Sequence, residues 1–125
     1  MEVTRKILIV DPSEVIRYFL RSIVQELSYT PVQAVDGQIA MKKMSEEGSE
    51  ICLVITEWCL PGLSGSELLG NVKEDYPQLP VVFVTTATEK YCVIDALRLG
   101  AADYVVKPFS VKQIRDRIER FVVEK

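Results

Sequence analysis

The sequence predicts an α/β domain built as one doubly wound parallel sheet of five strands, in the order 2-1-3-4-5, with five helices. Two observations carry that expectation. Short apolar runs alternate with longer amphipathic stretches five times along the chain, and most of those runs are apolar at every position while the second alternates. Continuous runs suit strands buried on both faces of a parallel sheet, and an alternating run suits an edge. Repeated βα units join parallel strands through right-handed crossovers, and this strand order places the second strand at an edge.

The elements follow in order. Ile7-Leu8-Ile9-Val10 is the first strand. Asp11-Pro12-Ser13-Glu14 then matches a helix start, with Asp11 as cap, Pro12 at the first helical position and Glu14 closing a capping box. Ile16, Leu20, Ile23, Val24 and Leu27 recur at helical spacing behind it. Pro31–Val35 is the alternating edge strand and Gly37–Gly48 the second helix. Glu46, Glu47 and Glu50 read as a solvated helix end and loop. Ile51–Ile55 is the third strand, followed by a helix over Ser66–Tyr76. Val81–Val84 is the fourth, followed by a helix over Thr88–Leu99 whose C-terminal cap falls on Gly100. Tyr104-Val105-Val106 is the fifth and shortest strand. Val111, Ile114, Ile118 and Phe121 mark the last helix, with Arg115, Arg117 and Glu119 facing out.

Composition narrows the function. The chain's 125 residues fit one domain spanning residues 1–125, large enough to bury roughly two-thirds of its unfolded surface. Hydrophobic residues make up 48%, the level of a packed chain. A formal charge of −3 argues against nucleic-acid binding, which runs on clustered Lys and Arg. No stretch is long and apolar enough to span a membrane, and the apolar run after Met1 is too short for a signal peptide. Cys52, Cys59 and Cys92 lack metal-ligand spacing and read as free thiols in a reducing cytoplasm. The absence of histidine removes Ser-His and Cys-His catalysis, and no nucleophile–base pair is visible, so an enzyme is not expected.

In a doubly wound sheet, ligands meet the crevice beyond the strand C-termini, at the point where strand order reverses. Asp11, Glu57, Thr85 and Lys107 follow the first, third, fourth and fifth strands, so the fold converges these polar groups there. Each also has a plainer reading: Asp11 as a helix cap, Thr85 as a strand-end hydroxyl, Lys107 as a snorkelling surface lysine.

The segments ILIVDPSEVIR, TEWCLPGLSG, LPVVFVTTAT and GAADYVVKPFS together resemble the signature regions of bacterial response-regulator receiver domains, over essentially the whole chain. Chemotaxis-type regulators are an especially near likeness over Tyr104–Phe109. The resemblance implies a flavodoxin-like fold, a role in two-component phosphorelay signalling, and a cis bond between Lys107 and Pro108. In that family an aspartate after the third strand accepts a phosphoryl group. An acidic pair after the first strand helps it hold Mg²⁺, together with a backbone carbonyl two residues past the acceptor. Thr85 and Lys107 match the positions that bind phosphoryl oxygens, and Tyr104 matches the aromatic switch. Asp11, Glu57 and the Cys59 carbonyl match the metal ligands.

Two departures matter. Glu57 stands at the acceptor position, longer than aspartate by a C–C bond, about 1.5 Å. Pro12 stands where the second acidic residue would, so one carboxylate ligand is missing. The first expectation is therefore a pseudo-receiver that works by protein–protein interaction without phosphorylation, with no cofactor and with Mg²⁺ held weakly or not at all. The rival expectation is an Mg²⁺-dependent phosphoacceptor that tolerates glutamate. A flavodoxin-like cofactor binder is the third, and the missing Gly-rich phosphate loop weighs against it.

Glu57 is expected within salt-bridge distance of Lys107, with Thr85 and Tyr104 turned toward the family's active arrangement. Cys59 is expected to be an inert thiol, because Glu57 opposes its ionisation. Protein partners, either a kinase-pathway component or an output protein, are expected on the face of the fourth helix, fifth strand and fifth helix, which carries Lys90, Arg98, Tyr104 and Arg115. A homodimer through the same face is the further expectation.

Overall fold

The computed structural model describes residues 5–122; residues 1–4 and 123–125 of the expected 1–125 domain lie outside the described residues. Strands β1 (Lys6–Val10), β2 (Thr30–Ala34), β3 (Ile51–Thr56), β4 (Val81–Thr85) and β5 (Asp103–Val106) alternate with helices α1 (Glu14–Glu26), α2 (Gly37–Glu47), α3 (Gly65–Asp75), α4 (Lys90–Arg98) and α5 (Val111–Phe121). The strands form one sheet in the order β2-β1-β3-β4-β5, and every neighbouring pair is parallel. The expected fold is the observed one.

Alternate side chains of each strand divide the core in two. Leu8 and Val10 face Ala40, Met44, Leu68, Leu69 and Val72, which belong to α2 and α3. Ile7 and Ile9 face Leu20, Ile23, Val24, Ile114 and Ile118, which belong to α1 and α5. Strand β3 is buried at every position, as its uninterrupted apolar run requires. Strand β2 alternates between half-buried and buried beyond its exposed first residue, as an edge strand does.

Several boundaries move. Helix α1 is capped by Ser13, not Asp11: the Ser13 hydroxyl accepts from the Ile16 N–H at 3.3 Å. Glu14 is therefore the first helical residue and closes no capping box, and Pro12 lies outside the helix. Helix α3 starts one residue earlier than expected because Ser64 and Glu67 form a reciprocal capping box. Helix α5 begins with the same device, made by Ser110 and Gln113. The C-terminus of α4 matches expectation: Gly100 has φ +104°, and Gly100 and Ala101 donate N–H groups to Leu97 and Ala96. Glu47 and Glu50 are not simply solvated, since Lys6 Nζ reaches them at 2.7 and 2.6 Å.

Candidate functional site

Backbone pairing at the C-terminal edge of the sheet puts the crevice residues in register. The Asp11 N–H donates to the Ala34 carbonyl at 3.1 Å, that of Glu57 to Val10 at 2.9 Å, and that of Lys107 to Thr85 at 2.7 Å. Each residue thus extends its strand's ladder by one bond, so its side chain leaves the sheet at the same edge. Gly65 keeps the loop after β3 close: a Cβ there would lie 2.6 Å from the Trp58 carbonyl. The Lys107–Pro108 bond is cis.

The side chains meet. Lys107 Nζ lies 2.7 Å from Asp11 Oδ2 and 3.0 Å from Glu57 Oε1. Glu57 Oε2 accepts from the Thr85 hydroxyl and, at 3.0 Å, from the Cys59 N–H. Asp11 Oδ1 accepts from the Ser13 N–H at 2.9 Å. Asp11, Glu57 and Thr85 are 2%, 5% and 0% exposed, so the charges are shielded from solvent and their pairing is strong. A strand-end or snorkelling role does not account for this convergence. The Lys107–Asp11 contact was not foreseen; the expectation paired Lys107 with Glu57 alone. Nor was Arg17, whose Nη1 donates to the Asp11 carbonyl at 2.7 Å.

Burial pushes the Glu57 carboxyl up, but the Thr85 hydroxyl, the Cys59 N–H and the Lys107 ammonium outweigh it and hold it below its ordinary value. Burial pulls Lys107 down, and its bonds to Asp11 and Glu57 more than reverse that. Burial, then the Glu57 charge, push the Cys59 thiol up, which works against thiolate formation.

A second chain of contacts leaves the crevice. The Thr85 hydroxyl accepts from the Ala87 N–H at 3.0 Å, and the Tyr104 hydroxyl donates to the Ala87 carbonyl at 2.7 Å. The Tyr104 ring is half-buried against Phe83, with centroids 6.1 Å apart, and burial pushes its hydroxyl up to about 12. Glu57, Thr85 and Tyr104 are therefore linked through one residue of the loop after β4.

The oxygen donors do not fit Mg²⁺ as they stand. That ion needs a near-octahedral set of hard oxygens. Asp11 and Glu57 supply two carboxylates, all four of whose oxygens already have protein partners. Pro12 offers no ligand side chain, and the atom of Cys59 that joins the cluster is its N–H. Among the described residues no group of three or more His, Cys, Asp or Glu side chains could hold a metal.

The residues expected on the partner face lie on three consecutive elements: Lys90 and Arg98 open and close α4, Tyr104 is on β5, and Arg115 is on α5. Lys90, Arg98 and Arg115 are exposed. Tyr91, Ile94 and Leu97 of α4 are also exposed, at 66%, 41% and 50%, and add an apolar contribution to that face. No helix among the described residues is long and apolar enough to cross a membrane.

Residues 7–119 match the profile of the family described as the response regulator receiver domain. The chemotaxis protein CheY of Pseudomonas aeruginosa is 32% identical over 118 residues, covering 92% of this chain and 94% of that protein. Chemotaxis protein CheY-3 of Vibrio cholerae is 29% identical over 117 residues, covering 92% of this chain and 89% of that one. The structure of Vibrio cholerae chemotaxis protein CheY4 superposes with a TM-score of 0.86 at 26% identity, covering 95% of this chain and 99% of that one.

Proposed function

This chain belongs to the response regulator receiver domain family, and on that premise we propose that it is a pseudo-receiver: a cytoplasmic signalling module that acts through protein contacts and takes no phosphoryl group. One observation carries this reading. The carboxylate at the acceptor position is already bound on both oxygens, by Lys107 on one and by Thr85 and the Cys59 N–H on the other.

Phosphoryl transfer is mostly positioning and charge neutralisation. An acceptor oxygen must reach the donor in line, and small misplacements are costly. Glu57 carries its carboxylate about one C–C bond further out than aspartate would. Its oxygens meet the threonine and lysine that would otherwise receive a phosphoryl group, which makes it a partial stand-in for one. The mimicry is incomplete, because a carboxylate has less charge and fewer acceptor oxygens than a phosphoryl group. Tyr104, hydrogen-bonded to Ala87, would then hold the active-like arrangement without a phosphorylation event. Mg²⁺ binding is weak or absent in this account. The partners are a kinase-pathway component or an output protein, or a second copy, engaging α4, β5 and α5.

Incubation with Mg²⁺ and a small acyl-phosphate donor, read by intact mass, tests this. The parent should show no stable adduct, and the Pro12→Asp, Glu57→Asp double variant should show one, with either single variant doing less. An adduct on the parent would establish instead a phosphoacceptor that tolerates glutamate. Family membership leaves the flavodoxin-like cofactor reading without support, and a purified protein with no flavin spectrum would dispose of it.

A further inference from the structure

A groove of about 530 Å³ lies between α1 and the segment that joins β5 to α5. We propose that it is a binding site for a small amphipathic ammonium compound, whose apolar body fills the groove and whose charged end meets Glu26. This goes beyond the pseudo-receiver reading and does not rest on it.

The first support is shape and lining. Ile16, Phe19 and Ile23 form one wall, at helical spacing along α1, and Pro108, Phe109 and Val111 form the other. Phe19 and Val111 are 51% and 53% exposed, so both walls keep apolar surface open to solvent. The volume falls in the range of small-molecule sites, roughly 300–1,000 Å³, which are mostly apolar with a few polar groups that fix orientation. Each wall also carries a phenylalanine, and a cation over the face of an aromatic ring is attracted to it. Lys107 lines the groove too, but its ammonium is already held by Asp11 and Glu57, so it does not call for an anionic ligand.

The second support is charge. Ser22 and Glu26 complete the lining, one helical turn apart and so on one face of α1. Both offer acceptors. The Ser22 hydroxyl donates to the Tyr18 carbonyl at 2.9 Å, which leaves its lone pairs to accept. The Glu26 carboxylate is exposed and has no ion pair or hydrogen bond among the described residues. Glu26 is also the last residue of α1, at the negative end of the helix dipole, and the last turn carries no basic residue. The helix carbonyls therefore oppose this carboxylate, and a bound ammonium relieves both. An anion would meet Glu26 and the helix end together, so the groove selects positive charge. One side chain of a docked protein would leave much of the volume empty, which favours a free molecule as the occupant.

Naphthylmethylamine is the probe, with naphthylmethanol and naphthylacetate as its neutral and anionic matches. NMR titration, read at the methyl groups of Ile16, Ile23 and Val111, should saturate with the amine. The alcohol should bind about threefold more weakly, the size of an exposed charge pair, and the acid more weakly again. Glu26→Gln should erase the preference for amine over alcohol while both still bind. Ser22→Phe fills the groove and should abolish saturation by all three, with circular dichroism checking the fold. Should that variant unfold, the Glu26→Gln comparison decides alone. Equal affinity for amine and acid, a preference that Glu26→Gln leaves untouched, or shifts that spread beyond the groove overturns the assignment. Saturation by a helical peptide of Leu and Lys but by no naphthyl compound gives the groove to a protein partner, and overturns it equally.

Discussion

Glu57 and Lys107 show how much chemistry single residues can make visible in a sequence. Each follows an apolar run in a doubly wound pattern, so the fold alone places them at one crevice. Their contact was foreseeable because glutamate's extra methylene carries its carboxylate outward. The bond from Lys107 to Asp11 was not legible, because it spans 96 positions and depends on which of two carboxylates the ammonium can reach once both are buried. The pair has a pH signature. Glu57 is held below its ordinary value of 4.5, so its stabilising contribution is present above that value and lost as pH falls through its lower folded-state value. Lys107 is held above 10.5, so its contribution is present below that value and lost as pH rises through its higher folded-state value. Denaturant unfolding of the parent and Glu57→Gln should therefore differ most between those limits, by about 1.5–3 kcal/mol, the range for a hydrogen bond to a charged group, because Lys107 keeps its bond to Asp11 in the variant. The gap should narrow below pH 4.5. A gap that is small at neutral pH, or that widens in acid, contradicts a buried pair.

The elements were legible in kind and less so at their ends. Uninterrupted apolar runs are an unambiguous strand signal when both faces are covered, which is why β1, β3 and β4 were found with errors of a residue or less. Helix starts failed where two capping signals overlapped. Asp11 and Ser13 are both good caps, and the site claims Asp11 for Lys107, so Ser13 takes the helix. The start of α4 moved from Thr88 to Lys90, because the loop before it is held back by the bonds of Ala87 to Thr85 and Tyr104. Helix α4 also shows why a partner face is hard to read from sequence: Tyr91, Ile94 and Leu97 repeat at helical spacing like any core stripe, yet they face solvent. Those residues, with Lys90, Arg98 and Arg115, give α4 and α5 an apolar and basic surface on an acidic chain. Substituting Arg98 and Arg115 with Ala should weaken partner binding or self-association, read by sedimentation and pull-down against the parent, while circular dichroism stays unchanged. Unchanged association would move the docking surface to α1, which exposes Val15, Tyr18 and Phe19.

Across the whole molecule, the sheet joins the crevice to that surface. Glu57 binds the Thr85 hydroxyl, Thr85 and Tyr104 both bind Ala87, and Tyr104 belongs to β5, the strand between α4 and α5 in the chain. The architecture and the crevice were readable because both follow from strand order. The link between them was not, because it runs through a backbone carbonyl that no side-chain pattern announces. The central claim is that the negative charge at position 57 keeps this link made with no phosphoryl group present. The ring resonances of Tyr104, compared by NMR between the parent and Glu57→Gln in the absence of any phosphodonor, test it most directly. The account predicts one ordered ring environment in the parent and a shifted or averaged one in the variant. Superimposable Tyr104 resonances would mean that the charge at position 57 holds nothing in place, and would contradict it.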